Sequence, residues 1–152
     1  MHGDYYSNIV PSDVQGICPA GWHVPSQMEF VLLAEYVSSR SKYRCNGNYD
    51  YIAKALCDTV GWMAPSDNSC SCCSGYDIAS NNATGFSGYP AGYCYNGTVL
   101  ALGYSTIFWC ATENVCFGWT HGSPHTYWTH HDFPSSGFSV RCVRDEYPSN
   151  EP

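Results

Sequence analysis

Cysteine content is the feature that most restricts how this chain can fold. Ten of its 152 residues are cysteines, a density typical of proteins from oxidising compartments, where disulfides persist. Their spacing is irregular, so the pairing cannot be read from the residues alone. They stand at positions Cys18, Cys45, Cys57, Cys70, Cys72, Cys73, Cys94, Cys110, Cys116 and Cys142.

The compact cluster Cys70-Ser71-Cys72-Cys73 invites comparison with metal sites. Structural zinc sites pair two cysteine knuckles, or one knuckle with two spaced histidines. Here a second knuckle is missing, and Ser, Asn, Asp and Gly surround the cluster. The pattern therefore favours a disulfide within a loop, and we predict no metal site.

Charge and composition exclude several classes of protein. Only 12% of the residues are charged, the formal net charge is −7, and residues 55–140 contain no lysine or arginine. A nucleic-acid-binding protein needs a cationic surface, so nucleic acid is excluded as a partner. The aromatic content of 16% excludes disorder, and no apolar run approaches the roughly 18 residues of a membrane helix. We expect one globular domain whose partner is not an anion.

The first third of the chain is predicted to carry two helices. Pro25-Ser26-Gln27-Met28-Glu29 contains a capping box, in which Ser26 caps the helix and Glu29 reaches back to it. A second helix is predicted from Asp50, as its N-terminal cap, to Gly61, which stops it. The first helix should have about three turns, with one apolar face at helical spacing, formed by Phe30, Leu33, Ala34 and Val37.

After Gly61 the pattern changes to loop and strand. Residues 62–83 are rich in Ser, Asn, Asp, Gly and Cys and are predicted to form a long loop. Short β-type runs then alternate with glycine, at residues 98–102, 105–112, 115–120, 125–129 and 137–143. Two helices followed by a strand-rich half predict an α+β fold.

Residues with reactive side chains form no recognised catalytic motif. His121, His125, His130 and His131 are close together, but no glutamate stands between them as in a zinc-protease helix. Neither a nucleophile-elbow motif nor a phosphate-binding glycine loop is present, and the acidic residues are scattered. We therefore expect no catalytic residues, no cofactor and no metal, and interpret the histidines as exposed contact side chains.

Residues 104–136 have the composition of a binding surface. They contain no Lys, Arg, Gln, Met or Leu and one glutamate, Glu113. They are rich instead in Tyr, Trp, Phe, His, Ser, Thr and Gly, as in antibody paratopes, where rigid rings supply area and small polar residues supply adaptable hydrogen bonds. So many rings and polar groups cannot all lie in a core, so the segment predicts a binding face. An ordinary tyrosine-rich sheet edge is the alternative.

Several longer motifs follow one another along nearly the whole chain. They are Cys18-Pro19-Ala20-Gly21-Trp22-His23-Val24-Pro25-Ser26, Ile52-Ala53-Lys54-Ala55-Leu56, Asn81-Asn82-Ala83-Thr84-Gly85-Phe86-Ser87, Pro90-Ala91-Gly92 and Gly137-Phe138-Ser139-Val140-Arg141-Cys142-Val143-Arg144-Asp145. In this order they resemble the FISUMP, or major paralogous, domain, a family with C-type-lectin-like folds found in surface and phage proteins of anaerobic and gut bacteria. The resemblance implies a disulfide-stapled C-type-lectin-like fold with two helices, a small twisted antiparallel sheet, long loops, and termini side by side.

The same resemblance implies part of the disulfide pattern. In such folds one disulfide joins the first-helix region to the last strand, and Cys18 and Cys142 occupy suitable positions. Closing so long a loop stabilises the fold by about 4–5 kcal/mol in the chain-entropy model. A further pair is frequent in the family, which implies a bond from Cys45 to one of Cys70, Cys72 and Cys73; we assign Cys70. The remaining thiols are interpreted as incidental: Cys57, Cys94, Cys110 and Cys116.

The family also includes the variable proteins of diversity-generating retroelements. In those systems the adenines of a template are copied erroneously, so that asparagine codons of the AAY type become NNY codons. Within residues 110–136 only Glu113, Trp119 and Trp128 fall outside the NNY set, and these would be fixed scaffold positions. An ordinary diverged paralogue is the alternative. We expect the variable, ligand-binding region to span residues 93–136.

These inferences combine into a ligand-binding domain at residues 1–146, followed by a tail at 147–152. We expect it to be part of a larger protein displayed on a bacterial surface or a phage particle, and to bind a protein or glycan on a target cell without entering a membrane. The triplets of calcium-dependent lectins are absent, so neither calcium nor lectin activity is implied. The expected contact residues are Tyr93, Tyr95, Tyr104, Phe117, Thr120, His121, His125, Tyr127, His130, His131 and Phe133. Of the tryptophans, Trp109, Trp119 and Trp128 are expected to buttress the sheet, and Trp22 and Trp62 to lie in the core.

Two other functions are open at this stage. Relatives of the fold include the formylglycine-generating oxidases, and a metal- or thiol-dependent enzyme would need Cys110, Cys116 or the histidines to meet in one pocket. A purely structural, undiversified surface module would need no contact residues at all.

Overall fold

The structure, a computed structural model, describes residues 16–66, 70–130 and 136–145. Within these ranges two α-helices, α1 (Gln27–Ser39) and α2 (Ala53–Leu56), follow a short strand, β1 (Trp22–His23). Helices in the first half and strands in the second confirm the predicted α+β class. The later strands are β2 (Tyr93–Tyr95), β3 (Thr98–Leu100), β4 (Ser105–Trp109), β5 (Val115–Thr120), β6 (Thr126–His130), β7 (Ser136–Gly137) and β8 (Val143–Arg144).

Helix α1 begins with the capping box that its sequence predicts. The Ser26 hydroxyl accepts a hydrogen bond from the Glu29 backbone N–H at 3.2 Å. The Glu29 carboxylate in turn accepts one from the Ser26 backbone N–H at 2.8 Å. This reciprocal pair satisfies two N–H groups that the first helical turn leaves unpaired. The predicted apolar face is either buried or packed against the core, as seen for Phe30, Leu33, Ala34 and Val37.

The second helix is much shorter than predicted. Helix α2 contains only four residues, and the residue before it is Ile52 rather than Asp50, which is exposed. The backbone becomes extended at Cys57, which forms a parallel bridge with Gly88. The prediction of a helix up to Gly61 was wrong, because this long-range pairing overrides the local helical pattern.

The main sheet is antiparallel, with β5 between β4 and β6. Side chains alternate between its two faces. Phe117 and Trp119 of β5 lie on the face towards α1, where the Phe117 ring centroid is 4.9 Å from that of Phe30. Phe108 and Trp128 stand opposite Phe117 on the neighbouring strands. The core therefore lies between α1 and one face of this sheet.

The end of the chain forms two short strands instead of the one long run predicted at 137–143. Strand β7 pairs with β2, which also pairs with β3, and β8 pairs with β1. Between them, Ser139 bridges to Phe108 of the main sheet. This segment changes its pairing partner every few residues, so no continuous strand can form. Strand β5, by contrast, has the predicted bounds.

Three disulfides close loops of very different length. Cys18–Cys142 spans 124 positions, Cys45–Cys72 spans 27, and Cys70–Cys73 spans 3. Cys45 therefore bonds to Cys72 and not to Cys70. The Cys73 backbone N–H donates to the Cys70 carbonyl at 3.1 Å, and this turn brings Cys70 to Cys73 instead. Disulfides indicate an extracellular or secreted protein.

The tryptophans divide between core and surface. Trp62 and Trp119 are buried, whereas Trp22 is 40% exposed, so its predicted core position was wrong. The reason is that β1 pairs only with β8, in a two-stranded ribbon apart from the main sheet. Trp128 supports the sheet through a ring contact with Phe117 at 4.9 Å, yet it remains 36% exposed.

No helix within the described ranges has the length and apolar character needed to cross a bilayer. The tail predicted at residues 147–152 lies outside the described residues.

Candidate ligand-binding surface

Strand β6 exposes more of the predicted contact segment than its neighbours do. All five of its residues are at least partly exposed, whereas the first five of β5 are buried. In the described sheet β6 pairs with β5 on one side. Alternation directs Tyr127 and Thr129 to the face away from α1, and Thr126, Trp128 and His130 to the α1 side. The predicted contact residues on β6 therefore belong to two different faces.

Four half-buried rings on the face away from α1 form what we call the aromatic cluster: Tyr93, Trp109, Tyr127 and Phe138. The Phe138 ring lies 4.7 Å from that of Trp109 and 6.2 Å from that of Tyr93. Burial raises the pKa of the Tyr127 hydroxyl, and nearby Tyr93 and Cys116 raise it further. Tyr127 is therefore a neutral hydroxyl at physiological pH, which can both donate and accept a hydrogen bond.

Tyr104 and His121 form a second group, at the start of β4 and the end of β5. Their rings meet edge to face at 4.9 Å, and the His121 backbone N–H donates to the Tyr104 carbonyl at 2.8 Å. Tyr104 is 44% exposed. The His121 Nδ1 atom is buried and has no hydrogen-bond partner in the part of the chain that the structure describes. Thr120 precedes His121 and stands opposite Ser105.

His125 belongs to a third group, on the α1 side of β6. Its ring meets Tyr51 edge to face, with centroids 5.0 Å apart. It also lines a groove of about 300 Å³ between α1, residues 49–52 and the start of β6. Trp128 and Tyr49 contribute rings to the same groove.

One predicted contact residue is wrong, and two cannot be placed. Phe117 is fully buried between Phe30 and Trp119. Its neighbours Cys116 and Gly118 lie on the opposite face of the central strand, so alternation directs Phe117 into the core. His131 and Phe133 lie outside the described residues. The remaining predicted contact residues fall into separate groups. Tyr93 and Tyr127 belong to the aromatic cluster, Tyr104 and Thr120 lie next to His121, and His125 lines the groove. Tyr95 and His130 are exposed positions outside these groups.

Of the four free thiols, Cys57, Cys110 and Cys116 are buried, and Cys94 is half-exposed. Burial raises the pKa of Cys110 to about 12 and that of Cys116 to about 11. A reactive cysteine needs a lowered pKa and partial exposure. Cys110 and Cys116 have raised pKa values and are buried, so neither is suited to act as a nucleophile. The two side chains also lie on opposite faces of the sheet. Cys116 pairs with Trp109 and shares its face, whereas Cys110 follows Trp109 in sequence and alternates to the other face.

Within residues 16–66, 70–130 and 136–145, no group of three or more His, Cys, Asp and Glu side chains is placed to hold a metal ion.

Several surface residues were missed by the sequence reasoning. Trp109 and Phe138 complete the aromatic cluster, although Trp109 was expected only to support the sheet. Glu35, Tyr49 and Asp50 line the groove next to His125 but lie far from the binding segment in sequence. For Phe138 a signal existed, since an aromatic residue directly follows Gly137 in a β-type run. For the groove residues no local pattern gives their position.

The chain is thus a small, disulfide-stapled α+β domain with a ring-rich sheet edge. It matches the family model described as the Fibrobacter succinogenes major domain over residues 1–144, and it belongs to that family. This is the FISUMP family that the sequence motifs resemble, so the predicted membership is confirmed. Searches of curated proteins and of solved structures yield no match.

Proposed function

We propose that this chain is a ligand-binding, adhesive domain with a C-type-lectin-like fold, displayed on a bacterial cell surface or a phage particle. The observation that carries the proposal is the aromatic cluster next to the exposed edge of the sheet. Tyr93 and Tyr127 present rings and hydroxyls on one face of the sheet, while the buried side chains of Phe117 and Trp119 lie on the other. The target is a protein or a glycan on another cell.

The chemistry of the surface supports recognition rather than catalysis. Tyrosine offers a large rigid area at low entropic cost, together with a hydroxyl that forms hydrogen bonds. The raised pKa values of Cys110 and Cys116 weigh against a thiol-dependent enzyme. The whole stretch 55–140 lacks lysine and arginine, so an anionic target is disfavoured.

Diversification of this surface is part of the same proposal. The NNY-compatible positions of 110–130 divide between buried and exposed. Cys110 and the positions 115–118 are buried, whereas positions 111, 112, 114 and 120–130 are at least partly exposed. Substitution at the buried positions would disturb the core, whereas the exposed positions tolerate change. We therefore narrow the diversified part of 110–130 to positions 111, 112, 114, 120–127, 129 and 130. Of the three residues that NNY codons cannot encode, Trp119 is fully buried, whereas Glu113 and Trp128 are exposed.

The binding proposal is tested by measuring affinity for a ligand found on glycan arrays and on panels of intact cells. Tyr127→Ala and Tyr104→Ala should each weaken binding about tenfold or more, because central aromatic contacts dominate such interfaces. Tyr36→Ala is the matched control, since Tyr36 is also exposed but lies on α1, away from the aromatic cluster. Equal loss in all three variants, or no binding across the panels, would contradict the proposal.

The diversification proposal is tested on DNA. A nearby near-copy of the 3′ part of the gene should differ from it only at adenines and should accompany a reverse-transcriptase gene. Sister copies that differ evenly at all four bases would exclude it.

A further inference from the structure

The groove beside His125 has acidic walls from two separate segments. It occupies about 300 Å³, with Glu35 of α1 on one side, Tyr49 and Asp50 on another, and His125 and Trp128 of the β6 region on the third. Glu35, Asp50 and His125 are exposed, so their polar ends are accessible from solvent. Buried Ile52 contributes apolar surface at its base.

Among the described residues, no lysine or arginine forms an ion pair with these walls. No lysine or arginine lines the groove, and among the described residues the ion pairs join His23 to Glu29 and Asp145. Glu35 and Asp50 take part in neither. Two carboxylates on one groove without a counter-ion favour a positively charged occupant.

The basic residues nearest in sequence contact rings and a backbone carbonyl rather than the two carboxylates. The run after α1 places Arg40 over the ring of Tyr36 at 4.1 Å and Lys42 over the ring of Tyr43 at 4.7 Å. Arg44 reaches the rim of the groove, where it lies 5.3 Å from the Tyr49 ring and donates from Nε to the Ser38 carbonyl. It is held there by an oxygen acceptor and a ring, and it forms no ion pair with either carboxylate.

We propose that this groove binds a lysine or arginine side chain of the target protein. The inference rests on the proposed ligand-binding function and names the chemistry of one part of the ligand. The ammonium or guanidinium group would lie between Glu35 and Asp50, with the rings of Trp128 and Tyr49 stabilising the cation. Its aliphatic stem would pack against Ile52 and the neighbouring apolar surface of α1.

A side chain fits the groove better than a metal ion does. The groove lacks the three clustered ligands that a metal site needs, in keeping with the absence of such groups from the described residues. Its mixture of rings, apolar floor and separated carboxylates instead matches a long side chain with a charged end.

Both carboxylates also lie outside residues 93–136. A preference for a cation would therefore be common to proteins that differ only in the diversified segment.

The test uses the intact domain and small probes of defined charge. Nα-acetyl-lysine amide and Nα-acetyl-arginine amide are titrated while the NMR signals of the Trp128 indole and the His125 ring are followed. Nα-acetyl-norleucine amide, which has a similar stem and no charge, is the control probe. We expect saturable shifts with the two cationic amides, none with norleucine amide, and affinity about tenfold lower in the Glu35→Gln/Asp50→Asn variant. Glu113→Gln, which removes an exposed carboxylate elsewhere, should bind as the unaltered domain does.

Three results would overturn the inference: equal shifts with norleucine amide, unchanged affinity in the double variant, or a cellular ligand that proves to be an uncharged glycan. The outcome is separate from that of the proposed function. A ligand whose binding depends on Tyr127 but not on Glu35 and Asp50 would uphold the binding function and refute the cation site.

Discussion

The indole Nε1 of Trp119 donates a hydrogen bond to the thiol of Cys57, 2.9 Å away in the fully buried core. The same Sγ atom lies 3.0 Å from the Ala53 carbonyl, to which the thiol donates. Burial raises the pKa of Cys57 to about 12, so the thiol keeps its proton and can fill both roles at neutral pH. Cys57 thus links α2 to β5, and the interpretation of this thiol as incidental does not hold.

Cys57→Ala should destabilise the domain by about 1–3 kcal/mol, because it leaves the buried Trp119 N–H without an acceptor. The quantity to measure is the free energy of unfolding in urea. Cys94→Ala serves as the control, since Cys94 is a free, half-exposed cysteine on β2. Equal destabilisation by both substitutions would show that the Trp119 contact contributes nothing.

Gly88→Ala should also be destabilising. A Cβ at this position would lie 2.4 Å from Cζ2 of Trp119 and 3.0 Å from the Leu56 carbonyl oxygen, so the indole must move. Overpacking of this kind costs about 1–3 kcal/mol. Gly122→Ala is the matched control, because a Cβ there would meet no atom within 4 Å, and its thermal midpoint should barely change. A Gly88→Ala protein with the unaltered midpoint would mean that the Trp119 site is loosely packed.

The ion network at β1 predicts a pH-dependent contribution to stability. His23 contacts Asp145 through Nδ1 at 2.6 Å and Glu29 through Nε2 at 2.7 Å. The hydrogen bond with Asp145, followed by the contacts with Glu29, raises the pKa of His23 despite partial burial. Partial burial opposes the shift of Glu29, but hydrogen bonds from the Ser26 backbone N–H, His23 and the Ser26 hydroxyl lower its pKa overall.

The sign of each shift defines a pH window for this network. The raised pKa of His23 stabilises the fold fully below its ordinary value of 6.5, and this contribution is lost as pH rises through the raised value. The lowered pKa of Glu29 stabilises above its ordinary value of 4.5 and is lost as pH falls through the lowered value. His23→Gln should therefore be most destabilising between these two values.

Urea unfolding of His23→Gln at about pH 5.5 and about pH 9 measures this effect. The deficit relative to the unaltered domain should shrink at the higher pH. In His125→Gln, which removes an imidazole without a carboxylate hydrogen bond among the described residues, the deficit should not follow this profile. A His23→Gln deficit that is the same at both pH values would exclude the network as its source.

The disulfides should contribute unequally. In the chain-entropy model the Cys18–Cys142 bond, which spans 124 positions, contributes about 4–5 kcal/mol, whereas a loop as short as Cys70–Cys73 contributes about 2 kcal/mol. Unfolding of the Cys18→Ala/Cys142→Ala and Cys70→Ala/Cys73→Ala variants measures both. Equal losses in the two variants would indicate that native-state strain or residual structure in the unfolded chain dominates.

The parts of the fold that depend on local chemistry could be predicted from sequence. The capping box at Ser26 and Glu29 uses residues three positions apart, so it predicts the start of α1 correctly. The bounds of β5 follow from its run of β-favouring residues. The end of α2 could not be predicted in this way, because it depends on a bridge from Cys57 to Gly88, 31 positions later in the printed sequence.

The candidate surface was only partly predictable for a similar reason. Composition indicates that residues 104–136 are rich in contact side chains, but it does not assign them to faces. The alternation of Val115, Phe117 and Trp119 places Phe117 on the core face of β5, which composition alone does not show. Glu35 and Asp50 come from segments that meet β6 only in the folded chain, so their position in the groove is a tertiary property.

The Cys18–Cys142 bond has a mechanical consequence if the domain has the proposed adhesive function. Together with the β1–β8 pairing, it joins the two ends of the described fold by a covalent bond and a short antiparallel ribbon. Tension applied between these ends would pass through that bond rather than through the chain between residues 18 and 142. The strands that carry the aromatic cluster would therefore bear none of that load, and the binding surface would keep its shape while the domain is pulled.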